Sequence, residues 1–173
     1  MRLNSNKKYN NSGFSITEVV ISIFIITIGL VGVLSLVNQN IKAQFINKNN
    51  LIASQLAQEG LELVRNIRDK NWLDPANPWT FDIIANPDGN KIYTIEYDGD
   101  INEVTGIDDQ AAELKITGGY YDHRSGDDSI FRRIITTTND FAASLTNVSC
   151  IVQWTDRTGT YQYVADTILY DWR

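Results

Sequence analysis

Cysteine, histidine and proline are scarce in this sequence, and each scarcity excludes or disfavours certain structures or kinds of site. Cys150 is the only cysteine among 173 residues, so no disulfide can form within the chain and no cysteine metal cluster can be built. His123 is the only histidine, and its polar surroundings, YYDHRSGDD, favour a surface loop over a general base. No phosphate-binding loop or Gly-x-Ser-x-Gly motif occurs. We therefore predict that the protein is not an enzyme and that Cys150 is a buried, structural thiol.

Basic charge is also scarce outside the first residues. The formal net charge is −6, yet residues 1–13 carry Arg2, Lys7 and Lys8 and no acid, so the remainder of the chain carries −9. Nonspecific binding to nucleic acid requires clustered Lys and Arg side chains that contact the phosphates. We predict no specific nucleic-acid site.

Proline is absent before Pro75, so a helix can continue without a proline break through the long apolar run near the start of the chain. Val19 to Val37 is 19 residues without a charge, and at 1.5 Å per residue it spans about 28 Å, close to the hydrocarbon core of a bilayer. The sequence predicts a transmembrane helix over residues 14–38. The basic residues precede the span, so the positive-inside rule places the N-terminus in the cytoplasm and the acidic remainder outside.

The same helix is predicted to continue as an amphipathic half over residues 39–72. Ile52, Leu56, Leu63 and Ile67 lie on one stripe at helical period. Pro75 and the proline that follows in LDPANPWTF end the helix near 70–72. On the opposite face we expect surface roles, including an i, i+3 ion pair of Glu62 with Arg65; that face also carries Glu59 and Arg68.

After the helix the texture changes to short alternating segments. KIYTIEY, ELKIT, VSCIVQW and YQYVADTILYDW alternate apolar and polar residues, and TDRTG offers a hairpin turn before the last one. The run IFRRIITTT is β-branched but does not reveal which face is buried. We predict an α+β fold: a long N-terminal helix, half transmembrane and half amphipathic, packed on an antiparallel sheet within residues 73–173.

One acid, Glu18, stands at the mouth of the apolar run, where a charge is costly. The stretch GFSITE followed by that run resembles the class III signal of type IV pilins and pseudopilins. The resemblance implies that residues 1–13 are a leader, cut by a prepilin peptidase between Gly13 and Phe14. It further implies N-methylation of Phe14, and an assembly role for Glu18 in pairing with the N-terminal amine of a neighbouring subunit.

A second stretch, ASQLAQEGLELVRNIRDKNW, resembles the end of the long helix in PilV-like minor pilins. Together the two resemblances imply that the chain has a pilin fold and that it is a minor pilin. Its expected partners are other pilin subunits, the prepilin peptidase, the inner-membrane assembly platform and the membrane. It would move from the cytoplasmic membrane to an extracellular filament with a role in adhesion, motility or DNA uptake. Two alternatives stay open: a pseudopilin of a type II secretion or competence system, and a single-pass anchored binding module that never polymerises.

A calcium site is the one cofactor that the residues suggest. DGDINEVTGIDD places Asp98, Asp100, Asn102 and Asp109 at a loop spacing suited to a hard cation. The segment departs from the EF-hand pattern at Glu103, where glycine is expected, and a solvated acidic turn is the competing interpretation.

Aromatic residues offer a further candidate, an adhesive surface. Packing in the core or at its edge is the competing interpretation. The residues concerned are Trp72, Trp79, Tyr120, Tyr121 and Phe131.

Overall fold

The protein is described by a computed structural model covering residues 13, 15–85, 89–157 and 159–171. The chain divides into two compact units, Met1–Ile46 and Asn47–Arg173. The predicted fold class, α+β with a long N-terminal helix and an antiparallel sheet, is confirmed. The elements are helix α1 (Ile16–Leu73) and strands β1 (Asn90–Ile95), β2 (Ile101–Glu103), β3 (Glu113–Thr117), β4 (Tyr120–Asp122), β5 (Asp127–Asp140), β6 (Leu145–Asp156) and β7 (Gly159–Tyr170), with a 3-10 turn at Gln110–Ala112.

In the first unit, the described residues from Ile16 onward form the beginning of α1. Isoleucine, leucine, valine and phenylalanine side chains point outward all around this helix, and those at 16–37 are all exposed. A helix that is apolar on every side is a buried or a membrane-spanning helix. Its apolar surface therefore belongs against something outside this unit.

In the second unit, seven antiparallel strands form one sheet around β5. One side of β5 pairs with β6 along its length, from Phe131–Trp154 to Asp140–Leu145. The other side pairs with β3 near its start and with β1 near its end. β2 extends β1, β4 extends β3, and β7 pairs with β6. The predicted C-terminal hairpin is thus β6–β7.

The main core lies between one face of the sheet and the second part of α1. Residues at helical spacing supply the helix side of the core, and alternate residues of the strands supply the other. Gly60 allows the close approach, because a Cβ atom there would lie 2.8 Å from the Cys150 Sγ. Cys150 is fully buried, as predicted, and burial raises the pKa of its thiol to about 12. The buried cluster includes Ala53, Leu56, Ala57, Leu61, Val64, Ile67, Tyr93, Ile95, Leu114, Phe131, Ile135, Val148, Val152, Trp154 and Leu169.

A second, small cluster covers part of the opposite face of the sheet. Val104, Ala112 and Ile134 are buried there, with Ile107 and Ile151 packed around them. The segment that follows β2 therefore folds over the sheet and does not extend into solvent. The chain after α1 is held by Asn71, whose Nδ2 donates to the carbonyls of Trp79 (3.1 Å) and Phe81 (2.8 Å).

Candidate functional site

The first turn of α1 contains the candidate assembly acid, Glu18. The Ser15 carbonyl accepts from the N–H groups of Glu18 (3.0 Å) and Val19 (3.2 Å), and the helix begins at Ile16. The Glu18 side chain is exposed in the first turn, where the helix dipole favours a negative charge. Among the described residues, no cation lies within ion-pair distance of it. Within this part of the chain the acid therefore has no counter-charge.

The polar side chains that follow Glu18 are satisfied within the helix itself. The Ser22 hydroxyl donates to the Glu18 carbonyl (2.8 Å), and the Thr27 hydroxyl donates to the Ile23 carbonyl (2.7 Å). In hydrocarbon an unsatisfied hydroxyl costs several kcal/mol, and this back-bonding removes that cost. The surface offered by the span is therefore apolar to any neighbour, lipid or helix.

Helix α1 contains a stretch long and apolar enough to cross a membrane, and an 18-residue window in it has a mean hydropathy of 2.8 with no buried residue. Phe24, for instance, is 64% exposed. Gly29 and Gly32 lie in this stretch, and a Cβ atom at either would meet nothing within 4 Å. The helix surface at both glycines is open.

The predicted processing residues lie just before this turn. Gly13 is exposed, and a Cβ atom at its Cα would meet nothing within 4 Å. Phe14 and the basic residues of the predicted leader lie outside the described residues. Cleavage after Gly13, methylation of Phe14 and the assembly role of Glu18 stay predictions.

Three of the four calcium candidates, Asp98, Asp100 and Asp109, accept hydrogen bonds from protein groups, and the fourth, Asn102, lies in β2. The guanidinium of Arg124 donates to both oxygens of Asp98 (2.8 Å each) and to Asp100 (3.0 Å), and this ion pair holds the pKa of Asp98 below its usual range. Asp109 accepts from the N–H groups of Ala111 (3.1 Å) and Thr105 (3.2 Å). Within the described residues, no three His, Cys, Asp or Glu side chains are grouped to hold a metal. Calcium binding stays a prediction, which isothermal titration of the full-length protein tests.

The predicted aromatic surface is divided by the structure. Trp72 and Phe131 are buried, and Trp79 and Tyr121 are half-buried, which follows the packing interpretation. Tyr120 is 79% exposed at the β3–β4 turn. Tyr97, which the sequence analysis assigned to a strand, is 75% exposed in the turn after β1.

These two tyrosines border one cleft of about 610 Å³, lined also by Tyr121, Glu59 and Asp122. The Arg124 fork ties the turn carrying Tyr97 to the loop after β4, which fixes one rim. No lysine or arginine is among the residues lining the cleft. The cleft thus suits a neutral or cationic group better than an anion.

Two acidic side chains, Glu59 and Glu96, have surroundings that the sequence did not predict. Glu59 contacts Arg133, whose Nη1 lies 3.3 Å from the Glu59 Oε1 and whose side chain is buried on the helix-facing side of β5. Glu96 is also buried, and burial together with the neighbouring Asp122 raises its pKa to about 7. An arginine inside the apolar run of β5 was the sequence signal for the first contact; Glu96 gave none beyond its place at a strand end.

His123 lies beside Glu96 and Asp122 in a loop that is only partly exposed. Its side chain is half-buried, and its backbone N–H approaches the Glu96 Oε2 at 3.5 Å. Burial, with the charge of Arg133 nearby, lowers the pKa of the imidazole to about 4. His123 thus lies in a loop, as predicted, but its side chain is half-buried and not fully at the surface.

Residues 8–34 match the family described as the prokaryotic N-terminal methylation motif. The match marks a type IV prepilin-like class III signal, and the long apolar helix fits it. The match supports a type IV pilin-like or pseudopilin-like protein, and the long apolar helix beside it suggests a membrane anchor. No curated protein and no solved structure matches the chain.

Proposed function

We propose that this pilin-like chain is a minor pilin, a subunit that polymerises into a type IV pilus through its N-terminal helix. Support comes from one observation above all: an exposed acid, Glu18, opens a helix whose apolar residues from 16 to 37 are all exposed. Lipid covers such a surface before assembly, and the helices of neighbouring subunits cover it afterwards. The same apolar side chains therefore contact lipid while the subunit is in the membrane and contact neighbouring helices once it is in the filament.

Glu18 acts in this proposal as a register device. Cleavage after Gly13 would create an ammonium group on Phe14, and both that charge and the carboxylate are unfavourable in the membrane interface. Pairing the acid of one subunit with the amine of the next offsets part of both costs, while a misplaced subunit leaves both charges unpaired. A paired buried charge contributes more to specificity than to net stability.

The proposed topology follows from the charges. Arg2, Lys7 and Lys8 stay in the cytoplasm, where the prepilin peptidase and the inner-membrane assembly platform act, and the domain from Asn47 onward lies outside. After assembly the domain is part of the extracellular filament.

The first test is the intact mass and N-terminal sequence of the protein recovered from cells. A chain beginning at methylated Phe14 supports the proposal. A chain still beginning near Met1, in cells with an active prepilin peptidase, contradicts it and leaves an ordinary single-pass anchor.

The second test separates assembly from membrane insertion. Glu18→Ala is expected to abolish incorporation into sheared filaments while the protein stays in the membrane fraction. Glu62→Ala, another exposed acid of α1, is the matched control and should incorporate normally. Normal incorporation of Glu18→Ala would remove the proposed role of the acid. A pseudopilin would show the same Glu18 dependence but only short periplasmic assemblies, not surface pili.

The tyrosine cleft favours adhesion as an added function of the assembled subunit. Exposed aromatic rings in a preformed cleft are typical of ligand sites. Tyr120→Ala with Tyr97→Ala is expected to reduce attachment of piliated cells without changing the number of pili. Tyr170→Ala, an exposed tyrosine outside the cleft, is the control. Equal attachment by all variants would leave filament building as the only proposed function.

A further inference from the structure

Strand β7 forms a long open edge of the sheet. It contains 12 residues, Gly159–Tyr170, and pairs with β6 in an unbroken register from Asp156–Gly159 to Leu145–Tyr170. Within residues 13, 15–85, 89–157 and 159–171, no other strand pairs with it. The strands at the far ends of the sheet, β2 and β4, have only three residues each. The sheet therefore has one edge long enough to hold another strand.

The unpaired backbone groups of this edge can be identified. Residues of an antiparallel strand alternate between those bonded to the neighbour and those facing away from it. The N–H of Asp171, directly after β7, donates to the Ser144 carbonyl (3.4 Å), which puts the odd-numbered residues on the bonded side. The even-numbered residues direct their N–H and C=O groups outward; they include Thr160, Gln162, Val164, Asp166 and Ile168.

The sequence of β7 has few of the features that discourage strand addition. Natural edges are blunted by lysine, proline, bulges or shortness. The segment GTYQYVADTILY has no proline, no lysine and one charged residue, Asp166, and its register with β6 has no shift. The β3–β5 pair, by contrast, is interrupted by a register shift between Glu113 and Lys115.

The side chains beside the edge would pack against an added strand. On the face away from the helix, Val164 is 45% and Ile168 is 47% exposed. On the helix side, Tyr161, Tyr163 and Thr167 are half-buried. An added strand would bury more of both rows, and its main chain would pair with the outward groups.

We propose that β7 receives an extended segment of a different pilin subunit, and that this segment carries lysine or arginine opposite Asp166. That the partner is another pilin subunit rests on the proposed function. Only an extended backbone matches a row of alternating donors and acceptors along a strand. Because the chain outside residues 1–13 carries −9, a basic partner is electrostatically favoured over a second copy of this chain.

Hydrogen exchange on two samples tests the proposal: the pure full-length protein in detergent over a range of concentrations, and filaments sheared from producing cells. The amides of Gln162, Val164 and Asp166 should exchange rapidly in detergent at every concentration and at least tenfold more slowly in filaments. The amides of Tyr163 and Ala165, which bond to β6, serve as internal controls and should be protected in both samples.

Three results would overturn the proposal, each in a different way. Concentration-dependent protection in detergent would identify a second copy as the occupant. Rapid exchange at β7 in filaments, with helix residues 19–37 protected, would leave the edge unused while the proposed function stands. Rapid exchange of both regions would mean that the chain is not packed in the filament, and the proposed function would fail with the inference.

Two pairs of variants test the chemistry of the edge. Val164→Pro removes one outward N–H, whereas Val164→Thr keeps it; only the proline variant should reduce incorporation, by at least threefold. Asp166→Lys should reduce incorporation more than Asp166→Asn, because it repels a basic strand. The melting temperature of each variant in detergent shows whether it folds, and the Asp166 pair remains decisive if Val164→Pro does not. Normal incorporation of the folded variants would contradict strand addition.

Discussion

The two parts of helix α1 are both rich in apolar side chains but place them in opposite environments. In the part before Asn47, Phe24 and its apolar neighbours are largely exposed. In the later part, Leu56 is 3% and Val64 is 0% exposed, both against the sheet. The later part is amphipathic and packs against a partner within the chain, whereas the run 19–37 of the first part is predominantly apolar on every side. The difference teaches that the partner of the first part is external.

The largest expected effects come from placing one carboxylate in each part of the helix. Ile25→Asp puts a charge near mid-span, which costs about 3 kcal/mol in a bilayer, so membrane retention should fall sharply while the domain melts as before. Val64→Asp buries an unpaired acid in the core, which costs about 4 kcal/mol or more, so the domain should unfold while the chain stays in the membrane. Membrane fractionation and thermal melting in detergent measure the two outcomes.

If Ile25→Asp and Val64→Asp each changed membrane retention and the melting temperature equally, the proposed difference between the two parts of α1 would be contradicted. Lys42→Asp, at an exposed position of the first part beyond the apolar run, is the control for the added carboxylate and should move the melting temperature little.

Two glycines of the same helix give the next largest effect. At Gly60 a Cβ atom would lie 2.8 Å from Cys150 Sγ and 3.1 Å from Ile135 Cδ1, whereas at Gly29 it would meet nothing within 4 Å. Gly60→Ala should lower the free energy of unfolding of the domain by about 1–3 kcal/mol, despite a helix-propensity gain of about 1 kcal/mol. Gly29→Ala should leave the domain's melting temperature unchanged.

A double-mutant cycle identifies the cause of the Gly60 effect. Cys150→Ala removes the Sγ atom that the new methyl group would meet. Gly60→Ala should therefore cost less in the Cys150→Ala background than in the native one. Equal costs in the two backgrounds would mean that the sulfur contact does not limit the packing there.

Local periodicity was enough to predict the architecture. A continuous apolar run, then a stripe at helical spacing, then alternating segments predicted the helix, the sheet and their order, and the turn TDRTG predicted the β6–β7 hairpin. The motif around Glu18 is a short contiguous segment, and the family match covers residues 8–34.

Contacts between distant residues could not be predicted from periodicity. The β-branched run of β5 gave no alternation, so the burial of Arg133 and its contact with Glu59 were missed. Arg124 lies 26 residues from Asp98 along the chain, and nothing in the local sequence shows that the two side chains meet. Such pairings are decided by tertiary packing, on which local sequence patterns carry no information.

A smaller effect distinguishes two acids three residues apart on the later part of α1. Glu59 contacts the buried Arg133, whereas Glu62 pairs with the partly exposed Arg65. Glu59→Gln should destabilise the domain by about 1–2 kcal/mol, because it leaves a buried guanidinium without its counter-charge. Glu62→Gln should change stability by about 0.5 kcal/mol or less. Chemical denaturation of the full-length protein in detergent measures both; equal costs would contradict the burial-based distinction.

The smallest effect is a pH dependence confined to the domain. Burial and Asp122 raise the pKa of Glu96 from 4.5 to about 7, so the folded state holds a proton that the unfolded chain loses, and stability falls as the pH rises through 7. Burial lowers the pKa of His123 from 6.5 to about 4, so its contribution runs the other way, and stability gains as the pH rises from 4 to 6.5. The two oppose each other below pH 6.5.

Above pH 6.5 the Glu96 contribution acts alone, apart from the nearby charges of Asp122 and Arg124, which stay ionised. Raising the pH from 6.5 to 8.5 should therefore lower the stability of the domain by about 1 kcal/mol, or its melting temperature by about 2–4 °C. Glu96→Gln keeps a neutral side chain of the same shape and should remove this slope. Because the first part of α1 has no buried titratable group among its described residues, its retention in the membrane should not change over the same range. A slope that persists in Glu96→Gln would assign the pH dependence to another group.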